Sequence, residues 1–169
     1  LKNWWESIDL SNYEKSFFNR EIISFNQQLF RLKEKNIRIG IYGKSGVGKS
    51  SILNSLIKED IFKTDVINGS TREIQAEEWI LEDQTLKSIE LLDSPGFDFC
   101  NMEFPDKIHS RINYSDLILF VVAGDINRNE VSEISSLIKE GKKIIVILNK
   151  IDLLKNNELN EIVENINFK

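Results

Sequence analysis

Residues 43–50, Gly-Lys-Ser-Gly-Val-Gly-Lys-Ser, place three glycines ahead of a lysine and a hydroxyl. Glycine accepts backbone angles that other residues resist, so this stretch can wrap tightly and aim successive N–H groups inward. With a helix following, those N–H groups lie at its positive end, and such a nest binds phosphate. Lys49 supplies a flexible charge for the outer phosphates, and the Ser50 hydroxyl suits Mg²⁺. The candidate phosphate-binding residues are Gly43, Lys44, Ser45, Gly46, Val47, Gly48, Lys49, Ser50 and Ser51. A second stretch, Asp93-Ser94-Pro95-Gly96, offers a carboxylate that can hold Mg²⁺ through its waters. Its Gly96 can present an N–H to a terminal phosphate without steric obstruction. A third, Asn149-Lys150-Ile151-Asp152, selects a base. The Asp152 carboxylate can accept two hydrogen bonds from guanine N1–H and N2–H₂, a donor pair that adenine lacks. The Lys150 stem can lie along the base face, and Asn149 can pin the loop.

These residues work together only if the chain brings them to one edge. Ile37, Ile39 and Ile41 alternate like a strand before the glycine loop, and Ile52, Leu53, Leu56 and Ile57 follow it at helical spacing. This predicts a strand over 37–42 and a helix over 48–57. Residues 58–73 read as a polar loop. Residues 74–81 and 86–92 read as strands joined by a short turn, which makes them antiparallel. Residues 94–110 read as a loop with two prolines. Residues 116–123 and 143–149 are continuous apolar runs, as expected of strands covered on both faces. Helices are predicted over 130–140, stopped by Gly141, and over 158–166. Strands alternating with helices predict an α/β fold, a doubly wound and mostly parallel sheet with right-handed crossovers. Ligands of such sheets sit at the carboxyl ends of the strands, where the glycine loop already lies.

About thirty residues precede the first strand. Ser11 and Glu14 form a capping-box pattern. Phe18, Ile22, Phe25, Leu29 and Leu32 then recur at spacings of four and three, one face of a long helix. Phe17, Ile23 and Phe30 lie beside that stripe. Trp4 and Trp5 read as docking residues. The division expected is a helical extension over 1–36 and a phosphate-binding domain over 37–169.

With 169 residues the chain can bury a full core. The net charge of −5 does not favour a nucleic-acid surface. The single cysteine, Cys100, excludes an internal disulfide framework and fits a reducing compartment, cytoplasm or an organellar matrix or stroma. No apolar run approaches the ~18–20 residues that span a bilayer. Beginning at Leu1 rather than Met, the chain reads as a piece of something longer.

The three motifs, GKSGVGKS, DSPG and NKID, stand in the order found in P-loop GTPases, and the chain resembles the Era-like group within their translation-factor class from Ile37 to about Ile166. The resemblance implies a strand order 2-3-1-4-5-6, GTP and GDP as ligands with Mg²⁺, GTP hydrolysis, and two loops that respond to the nucleotide. It also implies a loop threonine that joins Ser50 and Asp93 on Mg²⁺. Thr71 looks like that residue, with Thr64 the alternative. The implied catalytic residues are then Lys49, Thr71 and Gly96.

The chain departs from the family in three places. Phe97 stands where Ras-type enzymes carry a water-orienting glutamine, which implies slow intrinsic turnover. Gly46 stands where potassium-activated relatives carry Asn, which argues against potassium activation. The chain ends at Lys169, before the family's last nucleotide motif, strand and helix. His109, Asp98 and Glu103 follow DSPG and are candidates for positioning water, although a lone histidine in a polar loop is ordinarily a solvated side chain. Arg72 could reach the phosphates, but reads better as a surface partner of Glu73 or Glu77. The alternative to a switch is an assembly GTPase of the dynamin, septin or Toc kind, whose nucleotide state controls dimerisation. An ATPase is disfavoured by Asp152. The apolar stripe of the N-terminal helix has three possible partners, the domain's own sheet, a C-terminal part beyond Lys169 or a second copy, and the helix is expected to lie across the GTPase domain and to contact the C-terminal part as well. Membrane association through that part stays open.

Overall fold

The computed structural model describes residues 11–63, 74–80, 87–98 and 114–168. In chain order the elements are α1 (Asn12–Lys33), β1 (Asn36–Gly43), α2 (Lys49–Ile57), β2 (Gln75–Trp79), β3 (Ser88–Asp93), β4 (Leu117–Val122), α3 (Arg128–Lys139), β5 (Ile144–Leu148) and α4 (Asn156–Phe168). The chain divides into two compact units, residues 1–34 and 35–169.

In the second unit, five strands form one sheet in the order β2-β3-β1-β4-β5. β1 lies in the middle, parallel to β3 and β4, and β5 is parallel to β4. β2 pairs antiparallel with β3, as the short predicted turn requires. Period-two alternation sorts the apolar side chains of β4 onto two faces. Leu119 and Val121 join Ile41, Leu53, Leu91 and Val47 in one core. Ile118, Phe120 and Val122 join Tyr42, Ile126 and Leu137 in the other. The first core is completed by α2 and the second by α3, so the sheet is covered on both sides. Every residue of the apolar run in β4 is therefore used, which is why the sequence there does not alternate.

Helix starts explain where the boundaries differ from the sequence reading. α3 begins at Arg128, two residues earlier than predicted. Asn127 caps it, accepting from the N–H groups of Asn129 and Glu130 through Oδ1, while the Glu130 carboxylate accepts the Asn127 N–H at 2.9 Å. After α2, the Asn54 side chain exchanges two 2.8 Å hydrogen bonds with the backbone of Phe62, and Phe62 is buried in the first core. That clamp holds the chain at Phe62 against the end of α2, and Thr64 and Thr71 follow in sequence. Both threonines lie outside the described residues, as do Arg72, His109, Cys100, Glu103, Trp4 and Trp5.

In the first unit, α1 has the capping box that Ser11 and Glu14 predict. Glu14 accepts from the Ser11 hydroxyl at 2.6 Å and from the Ser11 N–H at 2.9 Å, and these bonds hold its carboxyl below the ordinary range. Phe18, Phe25, Leu29 and Leu32 of the predicted stripe are exposed, and so are Ile23 and Phe30, the last at 65%.

Candidate functional site

The carboxyl end of β1 turns directly into the glycine loop. At Gly43, φ is +151° and a Cβ would stand 2.4 Å from the Val121 carbonyl oxygen on the neighbouring strand. Only glycine lets the backbone leave the sheet there. At Gly48, φ is +94° and a Cβ would meet the Asn149 amide at 2.4 Å. Gly48 is the N-cap of α2 and makes no side-chain cap, so the amides of the first turn remain directed at the loop. Val47 points the other way, into the first core. The loop is thus fastened from below by an apolar side chain and shaped from above by glycines.

Lys49 is buried, and its ammonium arches back over the loop to the carbonyls of Gly43 at 3.2 Å and Lys44 at 2.7 Å. The Ser50 hydroxyl donates to Asp93 Oδ2 at 2.5 Å. Asp93 ends β3 and is fully buried. The next residue, Ser94, donates its hydroxyl to the Ile41 carbonyl at 2.7 Å, which binds the turn after β3 to β1. A hydroxyl beside a buried carboxylate is an all-oxygen donor set that fits a hard divalent cation such as Mg²⁺. Among the described residues no group of three or more His, Cys, Asp or Glu side chains gathers to hold a metal. A cation at Ser50 and Asp93 would therefore complete its shell with waters and phosphate oxygens, as Mg²⁺ commonly does.

The base motif begins where β5 ends. The Asn149 N–H donates to the Val122 carbonyl at 2.8 Å and so continues the β4–β5 pairing by one residue. The Asn149 side chain donates to the Val47 carbonyl at 2.9 Å, joining this loop to the glycine loop. Lys150 has φ +58°, unusual for a residue with a Cβ, and caps a 3₁₀ turn over Ile151–Leu153. Asp152 lies in that turn and is exposed. Lys49, Ser50, Asp93, Gly96, Asn149 and Asp152 all belong to segments at or after the carboxyl ends of β1, β3 and β5, with β3 beside β1 and β5 separated from β1 by β4 alone. Thr71 cannot be placed with them, since it falls outside the described residues.

Several contacts at this edge involve residues that the motifs do not mark. Lys44 pairs with Glu130 at 3.4 Å, and Glu130 is 4% exposed. The Tyr42 hydroxyl donates to Glu133 Oε2 at 3.2 Å. Phe97 packs against Tyr42 and Phe120, with ring centroids 5.5 and 6.2 Å away. Asp98, a candidate for positioning water, instead accepts the Ser45 N–H through Oδ1 at 2.7 Å. Asn127-x-x-Glu130 is a readable capping pattern and could have flagged Glu130. Nothing in the sequence pairs Tyr42 with Glu133, because the contact crosses 91 positions.

Comparison with known proteins places this edge in a lineage. The family model described as 50S ribosome-binding GTPase matches residues 38–150. The tRNA modification GTPase MnmE of Desulforamulus reducens is 31% identical over 144 residues, 82% of this chain and 30% of that protein. GTPase Der of Nautilia profundicola is 35% identical over 121 residues, 69% of this chain and 26% of that protein. The chain thus spans about a third or less of the length of these relatives. A crystal structure of Aquifex aeolicus Era bound to GDP and AlF₄⁻ superposes with a TM-score of 0.61 at 25% identity, covering 78% of this chain and 46% of that one. Era in complex with MgGDPNP and a piece of 16S ribosomal RNA gives 0.64 at 24% identity, a likeness of fold. The matched span runs from β1 into the base loop and takes in the glycine loop, the turn after β3 and Asn149, so the chain belongs to this family of P-loop GTPases, in the translation-factor class and with an Era-like fold.

Proposed function

We propose that this protein binds guanine nucleotide with Mg²⁺, hydrolyses GTP to GDP and phosphate, and works as a nucleotide-dependent switch. The observation that carries the reading is the Asn149–Val47 hydrogen bond, which puts the base motif and the phosphate loop on one footing. Gly43 to Ser51 would cradle the phosphates with backbone N–H groups, and Lys49 would neutralise the outer ones. Asp152 would accept from the guanine edge, with the Lys150 stem along the base. Ser50 and Asp93, with Thr71 from the segment preceding β2 in sequence, would hold Mg²⁺, which supplies charge neutralisation between the phosphates. Water attacks the γ-phosphorus in line, an O–P bond forms, the bond to the β–γ bridging oxygen breaks, and GDP leaves. Lys49, Thr71 and the Gly96 N–H stabilise charge on the transferring group. Phe97 lies among Tyr42 and Phe120 and has no amide to orient water, so turnover without a partner is slow, about 10⁻³–10⁻⁴ s⁻¹.

Calorimetric titration tests the base. A site built to pair buried donors rejects an analogue lacking them by about 10⁴–10⁵. GDP is expected to bind far more tightly than ADP, and equal affinities would refute the reading. A single-turnover assay tests the rate, and several turnovers per second would show a catalytic group already in place.

The assembly reading has its own support in exposed apolar surface. β5 is an outer strand among the described ones, its Ile145 is 50% exposed, and α1 displays six large apolar side chains. Such surface would be covered by a second copy or by a C-terminal part of the protein. An oligomeric state that changes with nucleotide at constant protein concentration would favour it. No described helix is long and apolar enough to cross a membrane. A reducing compartment, cytoplasm or an organellar matrix or stroma, is the proposed location.

A further inference from the structure

Three contacts close the turn after β3 onto the glycine loop. Phe97 is held by the rings of Tyr42 and Phe120. The Phe97 N–H donates to the Gly43 carbonyl at 3.4 Å. Asp98 Oδ1 accepts the Ser45 N–H at 2.7 Å. The fit is close enough that a Cβ on Gly96 would stand 2.3 Å from the Ser45 nitrogen and 2.6 Å from Asp98 Oδ1. On the other side of the same peptide, the Lys49 ammonium rests on the Lys44 carbonyl. The Lys44–Ser45 peptide is therefore flanked by the cation that reaches for outer phosphates and by a carboxylate. A carboxylate oxygen that accepts a loop N–H does the chemical work of a phosphate oxygen in an anion nest.

We propose that Asp98 is an internal competitor for the terminal phosphate, which sets the preference of the site between nucleoside diphosphate and triphosphate. This rests on the guanine-nucleotide reading above. A diphosphate is served by the amides nearest α2 and leaves Ser45 to Asp98. A triphosphate brings further negative charge to the outer part of the loop, where a second anion already holds the N–H. Like charges repel, so the Asp98 carboxylate must give up the Ser45 N–H before the third phosphate is seated beside the Gly96 N–H. Phe97 sets how readily it does so, because withdrawing Asp98 draws its neighbour from the aromatic cluster. A ligand shifts such an equilibrium only by its differential affinity for the two states, and here the difference is one phosphate.

The test uses the protein freed of nucleotide, with Asp98→Ala and Asp98→Asn beside the parent. Asp98 is exposed, so both variants are expected to fold, and a thermal melt of each checks that. Affinities for GDP and for the slowly hydrolysed analogue GTPγS are measured by calorimetry. Asp98→Ala is expected to tighten the triphosphate tenfold or more and to change GDP less than twofold. Asp98→Asn, which keeps an acceptor oxygen without the charge, should fall between. A triphosphate-to-diphosphate ratio that stays within twofold in both variants overturns the proposal. The Ser45 amide, followed by NMR without nucleotide, gives an independent readout. Its resonance should move, and its hydrogen exchange quicken, in Asp98→Ala, and an unchanged Ser45 amide overturns the contact. A parent that binds neither nucleotide overturns the guanine-nucleotide reading instead, and the Ser45 amide then still decides whether Asp98 holds the loop.

Discussion

The phosphate end and the base end of the site are built on opposite principles. At the phosphate end the proposed binding is by the backbone, and the side chains are committed inward: Val47 lies in the core, Asp93 is fully buried and Lys49 is 7% exposed. At the base end the proposed specificity rests on displayed side chains on a short 3₁₀ turn, where Asp152 is exposed and Leu153 is 73% exposed. One end is over-determined by the fold, and the other is hung from it by Asn149. Changes at the first should therefore damage folding and binding together, while changes at the second should alter recognition alone.

The strongest way to break that contrast is Gly43→Ala. The added carbon meets a backbone oxygen of β4 in a conformation that disfavours it, so overpacking and strain act together. A loss of about 3 kcal/mol in stability is expected from a urea melt, with nucleotide binding lost in parallel. Lys49→Ala comes next. It removes charge-assisted bonds worth about 1.5–3 kcal/mol, so calorimetry should show GDP affinity falling about 10- to 150-fold, and turnover should fall too because the amine contacts ground and transition states alike. Asp152→Asn should weaken GDP by about 2 kcal/mol and shift preference toward xanthine nucleotides, whose O2 accepts a hydrogen bond. Its melting curve should stay within about 0.5 kcal/mol of the parent, and a larger shift would erase the distinction between the two ends. Asn149→Ala gives the finest test, since this residue belongs to the base motif by sequence and to the phosphate loop by contact. Losing the bond to the Val47 carbonyl should cost about 1 kcal/mol in both stability and nucleotide binding, seen by melt and titration.

The same contrast explains what could be read from the sequence. Backbone chemistry leaves local traces: the glycines at 43, 46 and 48, the strand ending at Asp93 and the run into Asn149 each announce their geometry within a few residues. The strand order β2-β3-β1-β4-β5 follows the family order for its first five strands, and β2 is antiparallel to β3 as the sequence spacing predicts. The contacts that tune the loop leave no such trace. Phe97 reads in sequence as a missing glutamine, whereas in the fold it is a packed aromatic residue. Asp98 reads as a polar loop residue, yet it sits on Ser45 across 53 positions. Lys44 meets Glu130 at the same carboxylate oxygen that accepts the Asn127 N–H in the cap of α3, a contact across distant parts of the chain.

Phe97 also gives this edge a temperature dependence of its own. Its attachment to Tyr42 and Phe120 is apolar, and near 25 °C such attachment is driven by entropy and weakens on cooling. The bonds at Asp152 and Asn149 are polar, and ordering of that kind draws on enthalpy. Warming through the ambient range should then hold residues 96–98 more firmly against the loop while loosening the grip on the base. Withdrawal of Phe97 would bare aromatic surface to water and raise the heat capacity. Triphosphate binding, measured across temperature, would carry a positive increment that diphosphate binding lacks, and so would register the opening as heat even where affinity changes little.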